Sequence, residues 1–132
     1  MRSTPFFVAA LCMVVSTARA EDPVKVDSKH YKVEFENDQV RVLKIHYGPH
    51  EKSVMHDHPA AVAVFLTDGE VKFNLADGKA QDAHAKAGTV QWNDAVKHLP
   101  ENVGDKPFEV MLVELKGPSA GHAAASHAAG KK

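Results

Sequence analysis

A turn-forming pair or a glycine interrupts this chain about every ten residues between Tyr31 and Leu115: Asn37-Asp38, Gly48-Pro49, Asp68-Gly69, Asp77-Gly78, Gly88 and Gly104 to Pro107. Helices of globular proteins run to ten or more residues with a period near 3.6, and no stretch shows that period convincingly. What lies between the turns suits strands. Tyr31, Val33 and Phe35 alternate with Lys32, Glu34 and Glu36, and Leu43, Ile45 and Tyr47 share one face of Val40 to Tyr47. Ala60 to Leu66 is almost wholly apolar, and Val71, Phe73 and Leu75 alternate again, so these two runs are expected to form a hairpin about Asp68-Gly69. Ala80 to Ala85, Gly88 to Trp92, Lys97 to Asn102 and Phe108 to Leu115 complete the series, with Ala80 to Ala87 alternatively a helical turn. Seven or eight short strands without a long helix predict an all-β sandwich or barrel.

The two ends have different compositions. Arg2, the apolar block Phe6 to Val15 and the small-residue pair of Ala18-Arg19-Ala20 have the order of a secretory signal peptide over residues 1–20, cut after Ala20. The block is about half the length needed to span a bilayer, so no membrane anchor is expected. Bulky Leu11 before Cys12 does not suit a lipoprotein signal. Export predicts a periplasmic or secreted protein. Cys12 is the single cysteine, so the mature chain would have neither disulfide nor thiolate and must cohere by packing. The remaining 112 of 132 residues suffice for one domain, over 21–117. Removing Arg2 and Arg19 lowers Lys plus Arg from 16 to 14 against 17 acids, a formal charge of −3 that recommends no nucleic-acid partner. Residues 118–132 hold Ala, Gly, Ser and His without a large apolar side chain, and are expected to be a disordered tail in which His122 and His127 are solvated.

Chemistry concentrates at His56-Asp57-His58. Two histidines one residue apart point to the same face of a strand, so their nitrogens can approach one ion, with His98 as a third ligand from a distant strand. Asp57 then faces away.

With these spacings in place, Tyr31 to Lys116 resembles a small single-domain cupin. His56-Asp57-His58 followed by Gly69 matches the first cupin motif, and Gly88 with His98 and Asn102 matches the second. The resemblance implies a double-stranded β-helix, or jelly-roll, barrel. It also implies a divalent metal on His56, His58 and His98, with Fe, Mn, Zn and Ni not distinguished. The sequence departs from the family pattern in three places. His50 stands at the opening glycine, Asn93-Asp94-Ala95 replaces Pro-x-Gly, and Val62 (or Ala63) occupies the position of the family's metal-binding glutamate. Val62 is accordingly expected to face the cavity beside the histidines, and His98 to approach from the opposite side of the barrel.

Three imidazoles leave a coordination position open. Among other candidates, His50 reads as a loop residue near the site, with a fourth ligand or an acid/base as its alternative, and His46 as partly buried and hydrogen-bonded. Trp92 reads as core packing or a stacking surface for a substrate ring. Glu101 and Asn102 are candidate hydrogen-bond partners of a ligand histidine, and nothing places Tyr31 or Tyr47 in the cavity. The expected partners are a small-molecule ligand and, as an option, a second copy in a homodimer. Two functions stay open. One is a metal-dependent enzyme, oxygenase-like or isomerase/lyase-like. The other is a non-catalytic module that binds a metal or a small ligand.

Overall fold

A computed structural model describes residues 20–117. The predicted leader and tail, with His122 and His127, lie outside the described residues. One short helix precedes nine strands. Helix α1 (Pro23–Val26) starts with proline at its first turn, and the Asp22 carboxylate accepts from the Val24 amide at 3.1 Å. The strands are β1 (Tyr31–Glu36), β2 (Val40–Tyr47), β3 (His56–His58), β4 (Ala61–Phe65), β5 (Gly69–Leu75), β6 (Ala80–Ala85), β7 (Val90–Asn93), β8 (Val96–Asn102) and β9 (Phe108–Leu115). They form two antiparallel sheets, β1-β2-β9-β4-β7 and β3-β8-β5-β6. The all-β expectation is met. No helix among the described residues is long and apolar enough to cross a membrane.

Side-chain alternation decides what lies between the sheets. Along β9 the residues Phe108, Val110, Leu112 and Glu114 are buried while their neighbours are half-buried. Inward-facing Leu43, Ile45 and Tyr47 of β2 and Ala61, Ala63 and Phe65 of β4 join them, and Val71 meets them from the other sheet. The hairpin turn at Asp77-Gly78 is present between β5 and β6, with Gly78 at φ 84°, a left-handed value that suits glycine.

The hairpin expected about Asp68-Gly69 is not there. Strand β4 pairs with β9 and β7, whereas β5 pairs with β8 and β6 in the other sheet. Asp68-Gly69 therefore carries the chain across the sandwich instead of folding it back. Gly69 passes close under Phe108, where an added Cβ would lie 3.3 Å from that ring. Strands β6 and β7 likewise part at Gly88 (φ 85°), one to each sheet. Apolar content alone does not say which strand pairs with which. These crossings turn a stack of local hairpins into a jelly roll.

Candidate metal centre

The site forms where β3 pairs with β8. In that register His56 lies directly opposite His98, and His58 follows two residues on, so all three side chains face inward. His98 is thus on the neighbouring strand of the same sheet, not across the barrel; antiparallel pairing alone brings the distant motif home. The three rings stand nearly perpendicular to one another, with centroids 4.8, 5.1 and 5.2 Å apart and interplanar angles of 88°, 86° and 79°. One ring nitrogen from each lies within 4.8 Å of the others.

Hydrogen bonding identifies the free nitrogens. His56 Nδ1 lies 2.8 Å from the Val54 carbonyl, which can only accept, so that nitrogen carries the proton. His58 Nδ1 lies 2.7 Å from Glu114 Oε1 and likewise donates. With Nδ1 so tethered on both rings, their Nε2 atoms turn toward each other and are 3.0 Å apart, and in the uncharged form of the pair two bare lone pairs would face one another. His98 Nε2 is the one buried side-chain nitrogen or oxygen without a partner among the described residues. Facing lone pairs and an orphaned nitrogen are costly unless something electron-poor sits among them. A divalent ion answers this description, since ligands at about 2.1 Å and right angles lie about 3 Å apart. Burial, then repulsion from His58, pushes the His56 ring down to about 4. Burial, then His58 and His56, pushes His98 down to about 3. Both rings are therefore neutral at pH 7, the form that binds metals.

The carboxylate that the motif lacks arrives from elsewhere. Glu114 ends the inward-facing series of β9 and is 2 % exposed. Its Oε1 accepts from His58, while Oε2 accepts from Arg41 Nε at 2.6 Å; Arg41 stands directly opposite on β2 and also reaches Asp22 at 3.0 Å. Burial raises the Glu114 carboxyl, but the bonds from His58 and Arg41 outweigh it and hold the acid below its ordinary value. A carboxylate behind a ligand histidine fixes its tautomer and raises its basicity. Sequence reading missed Glu114. Arg41 and Glu114 each sit on the otherwise apolar inward phase of their strands, but only the register that pairs them shows a buried ion pair. Val62 is corrected in turn: it lies on the half-buried outer face of β4, between inward-facing Ala61 and Ala63, opposite Val113 and Trp92.

A second group of polar side chains supports His56. Ser53 Oγ lies 3.3 Å from His56 Nδ1 and donates to Asp27, whose carboxylate also meets His30 Nδ1 at 2.7 Å. His30 is buried, stacks on Tyr47 at 4.3 Å, and turns Nε2 toward Glu51 at 3.1 Å. None of these was singled out from sequence.

Other candidates fall away. His50 is exposed and paired with Asp105 at 2.8 Å, and His46 is exposed, not partly buried, 3.4 Å from Glu109. Asn102 is buried but bonds to Gly48, Lys106 and Gly104, tying loops together and touching no ligand histidine. Glu101 pairs through its backbone with Lys52 in an isolated antiparallel bridge. Asp57 faces outward as expected, toward Lys97 and the Glu21 amide.

A cavity of about 520 Å³ opens beside His58 and His98, with fully buried His56 behind them. Tyr31 and Tyr47, which nothing in the sequence placed there, line it, their hydroxyls bonded to each other at 2.7 Å. Trp92 lines it too, at 37 % exposure.

No protein-family model matches the sequence, and no characterised protein matches it significantly. Solved structures do match. A cupin domain from Bordetella pertussis aligns with a TM-score of 0.61 and 22 % identity over 66 % of this chain and 92 % of that one. A double-stranded β-helix protein from Klebsiella pneumoniae gives 0.51 and 25 %, covering 70 % and 77 %. The polyketide cyclase RemF of Streptomyces resistomycificus gives 0.50 and 12 %, covering 64 % and 63 %. With its strand order, its crossings between sheets and these likenesses, the chain has the double-stranded β-helix fold of small cupin domains.

Proposed function

We propose that this chain is an exported cupin that holds one divalent metal ion on His56, His58 and His98 and takes a small molecule into the cavity beside it. Export rests on the Arg2, Phe6 to Val15 and Ala18-Arg19-Ala20 pattern, and the ligand set rests on geometry. The observation that carries the reading is the orphaned, buried His98 Nε2, on a ring packed against two imidazoles whose outer nitrogens are already committed. Bound there, an ion would supply a positive centre able to polarise an oxygen of the guest. The chain's own residues do the rest. Glu114 and Val54 orient the rings, and the apolar walls exclude water.

The same fold houses a polyketide cyclase in Streptomyces. We favour the enzyme class, oxygenase-like or isomerase/lyase-like. One observation supports the non-catalytic alternative: burial raises the Tyr31 and Tyr47 hydroxyls and they are bonded to each other, so neither is free to move a proton near neutrality. Metal analysis of protein purified from the exporting compartment tests the proposal. One equivalent of ion, lost in His98→Ala, is expected, iron or manganese favouring oxygen chemistry and zinc lyase work. Protein that binds no divalent ion after reconstitution would overturn the metal reading.

A further inference from the structure

The cavity exists because of what β4 places inside. Its inward positions before Phe65 are Ala61 and Ala63, small residues opposite Glu114 and Leu112 of the neighbouring strand, where larger side chains would fill the space. The space so left is walled by rings and aliphatic chains, with Phe73 stacked on His98 at 5.2 Å and 12°. No lysine or arginine lines it, and its carboxylates, Asp82 and Asp94, belong to exposed rim residues. An anionic guest would therefore find no side-chain counter-ion and two like charges at the entrance.

Hydrogen-bonding capacity is confined to the histidine end, the tyrosine pair and the rim, where exposed Gln81 joins Gln91 and Asn93. The Tyr31 and Tyr47 hydroxyls bond to each other at 2.7 Å, one donating and the other accepting. At the rim, Trp92 Nε1 donates to Asp94 at 2.9 Å and Gln91 to Asn93 at 3.1 Å. A sugar or other polyol would bury several hydroxyls against apolar walls without partners, and each one left unpaired would weaken its binding. What fits is a body with no polar groups of its own, flat enough to lie among aromatic faces. Its oxygen would be needed only at the histidine end.

We infer that the cavity takes an uncharged aromatic molecule carrying a single hydroxyl at one end, a phenol or naphthol type of guest, with its ring against Phe73 and its oxygen directed to the His58–His98 end. The inference rests on the metal reading for the oxygen alone; the choice of body follows from the walls.

Calorimetric titration of the full chain separates the two. The probes are 2-naphthol, methyl glucoside and naphthalene-1,5-disulfonate, each added to zinc-loaded and to metal-free protein. Zinc-loaded protein is expected to bind 2-naphthol at least tenfold more tightly than either of the others, and metal-free protein to bind it more weakly. Ala63→Leu, which fills the cavity, is expected to weaken 2-naphthol at least tenfold while zinc still binds at one equivalent. Ala63→Val serves if the larger side chain prevents folding, with a smaller loss in the same direction. Glucoside or disulfonate binding as well as 2-naphthol would overturn the inference, as would 2-naphthol binding indifferent to both Ala63 variants. If zinc fails to bind but 2-naphthol binds and Ala63→Leu abolishes it, the guest class stands and the metal reading falls. If zinc binds and 2-naphthol does not, the reverse holds.

Discussion

Replacing Glu114 with glutamine tests whether the carboxylate on β9 serves the metal or merely the fold. The side chain keeps its shape, and its amide oxygen can still accept from His58 Nδ1, now as a neutral acceptor. Its NH₂ must then face the Arg41 guanidinium, two donors 2.6 Å apart where a charged bond had been. Breaking one side of a well-buried pair costs about 3–5 kcal/mol. Glu114 is 2 % exposed, but the Arg41 side chain is 17 % exposed and keeps Asp22, so about 2–3 kcal/mol is the better expectation for the metal-free protein. For a domain of this size that is roughly a 10 °C fall in Tm. Loss of a carboxylate behind a ligand histidine weakens metal binding by about 10–100-fold, because the imidazole becomes less basic and its tautomer less firmly held. Two assays separate these effects. Thermal melts of chelated protein read the first, and competition against a chromogenic chelator reads the second. A variant that melts lower yet holds its metal within threefold of wild type would refute the metal role of Glu114.

Three further outcomes follow from the same geometry. Ser53→Ala removes the hydroxyl between His56 and Asp27 and is expected to weaken metal binding by about tenfold in the same competition assay, with the metal-free Tm falling by only a few degrees. Val62→Glu places its carboxylate on the outer face of β4, so metal affinity should stay within about twofold of wild type; a large gain would show that this side chain turns inward after all. Metal-free protein should lose stability steadily as pH falls from 7 to 5. The unfolded histidines take up protons below about 6.5, whereas buried His56 and His98 resist until about 4 and 3, so each ring contributes a slope of up to about 1.4 kcal/mol per pH unit. A Tm of chelated protein that is flat across this window would contradict neutral buried rings.

How much of this was legible in the sequence depends on whether the information is local. Alternation is local, so the bounds of β1, β2 and β9 and the buried faces of β2 and β9 could be read from single residues such as Leu43 and Leu112; on the edge strand β1 the same alternation misled, since Tyr31 is buried but Val33 and Phe35 are exposed. Pairing is not local. The Asp68-Gly69 turn has hairpin chemistry, yet β4 finds more apolar surface against β9, and nothing within ten residues of Gly69 announces that. The histidine trio was legible because its spacing belongs to a recurring motif, although the side from which His98 approaches was not. Glu114 escaped notice for a different reason. A lone glutamate at the end of an apolar strand looks like a boundary, and only the register that sets it opposite Arg41 reveals a buried pair. Tyr31 and Tyr47 were hidden similarly, since their place in the cavity depends on the second sheet lying over them.

The His58–Glu114 bond joins the two sheets, since β3 belongs to one and β9 to the other. No cysteine occurs among the described residues, so no covalent link can do this work. On the proposed reading, an ion on His56, His58 and His98 would extend the contact into a chain of bonds running from β8 through the metal and Glu114 to Arg41 on β2. Such a fastening differs from a disulfide in being reversible by dilution. Its contribution would follow the free ion concentration around the protein, about 2.7 kcal/mol at a hundredfold excess over Kd and almost nothing well below it. The lifetime of this protein would then vary with the metal supply of its surroundings, and protease resistance would report that supply as directly as any activity.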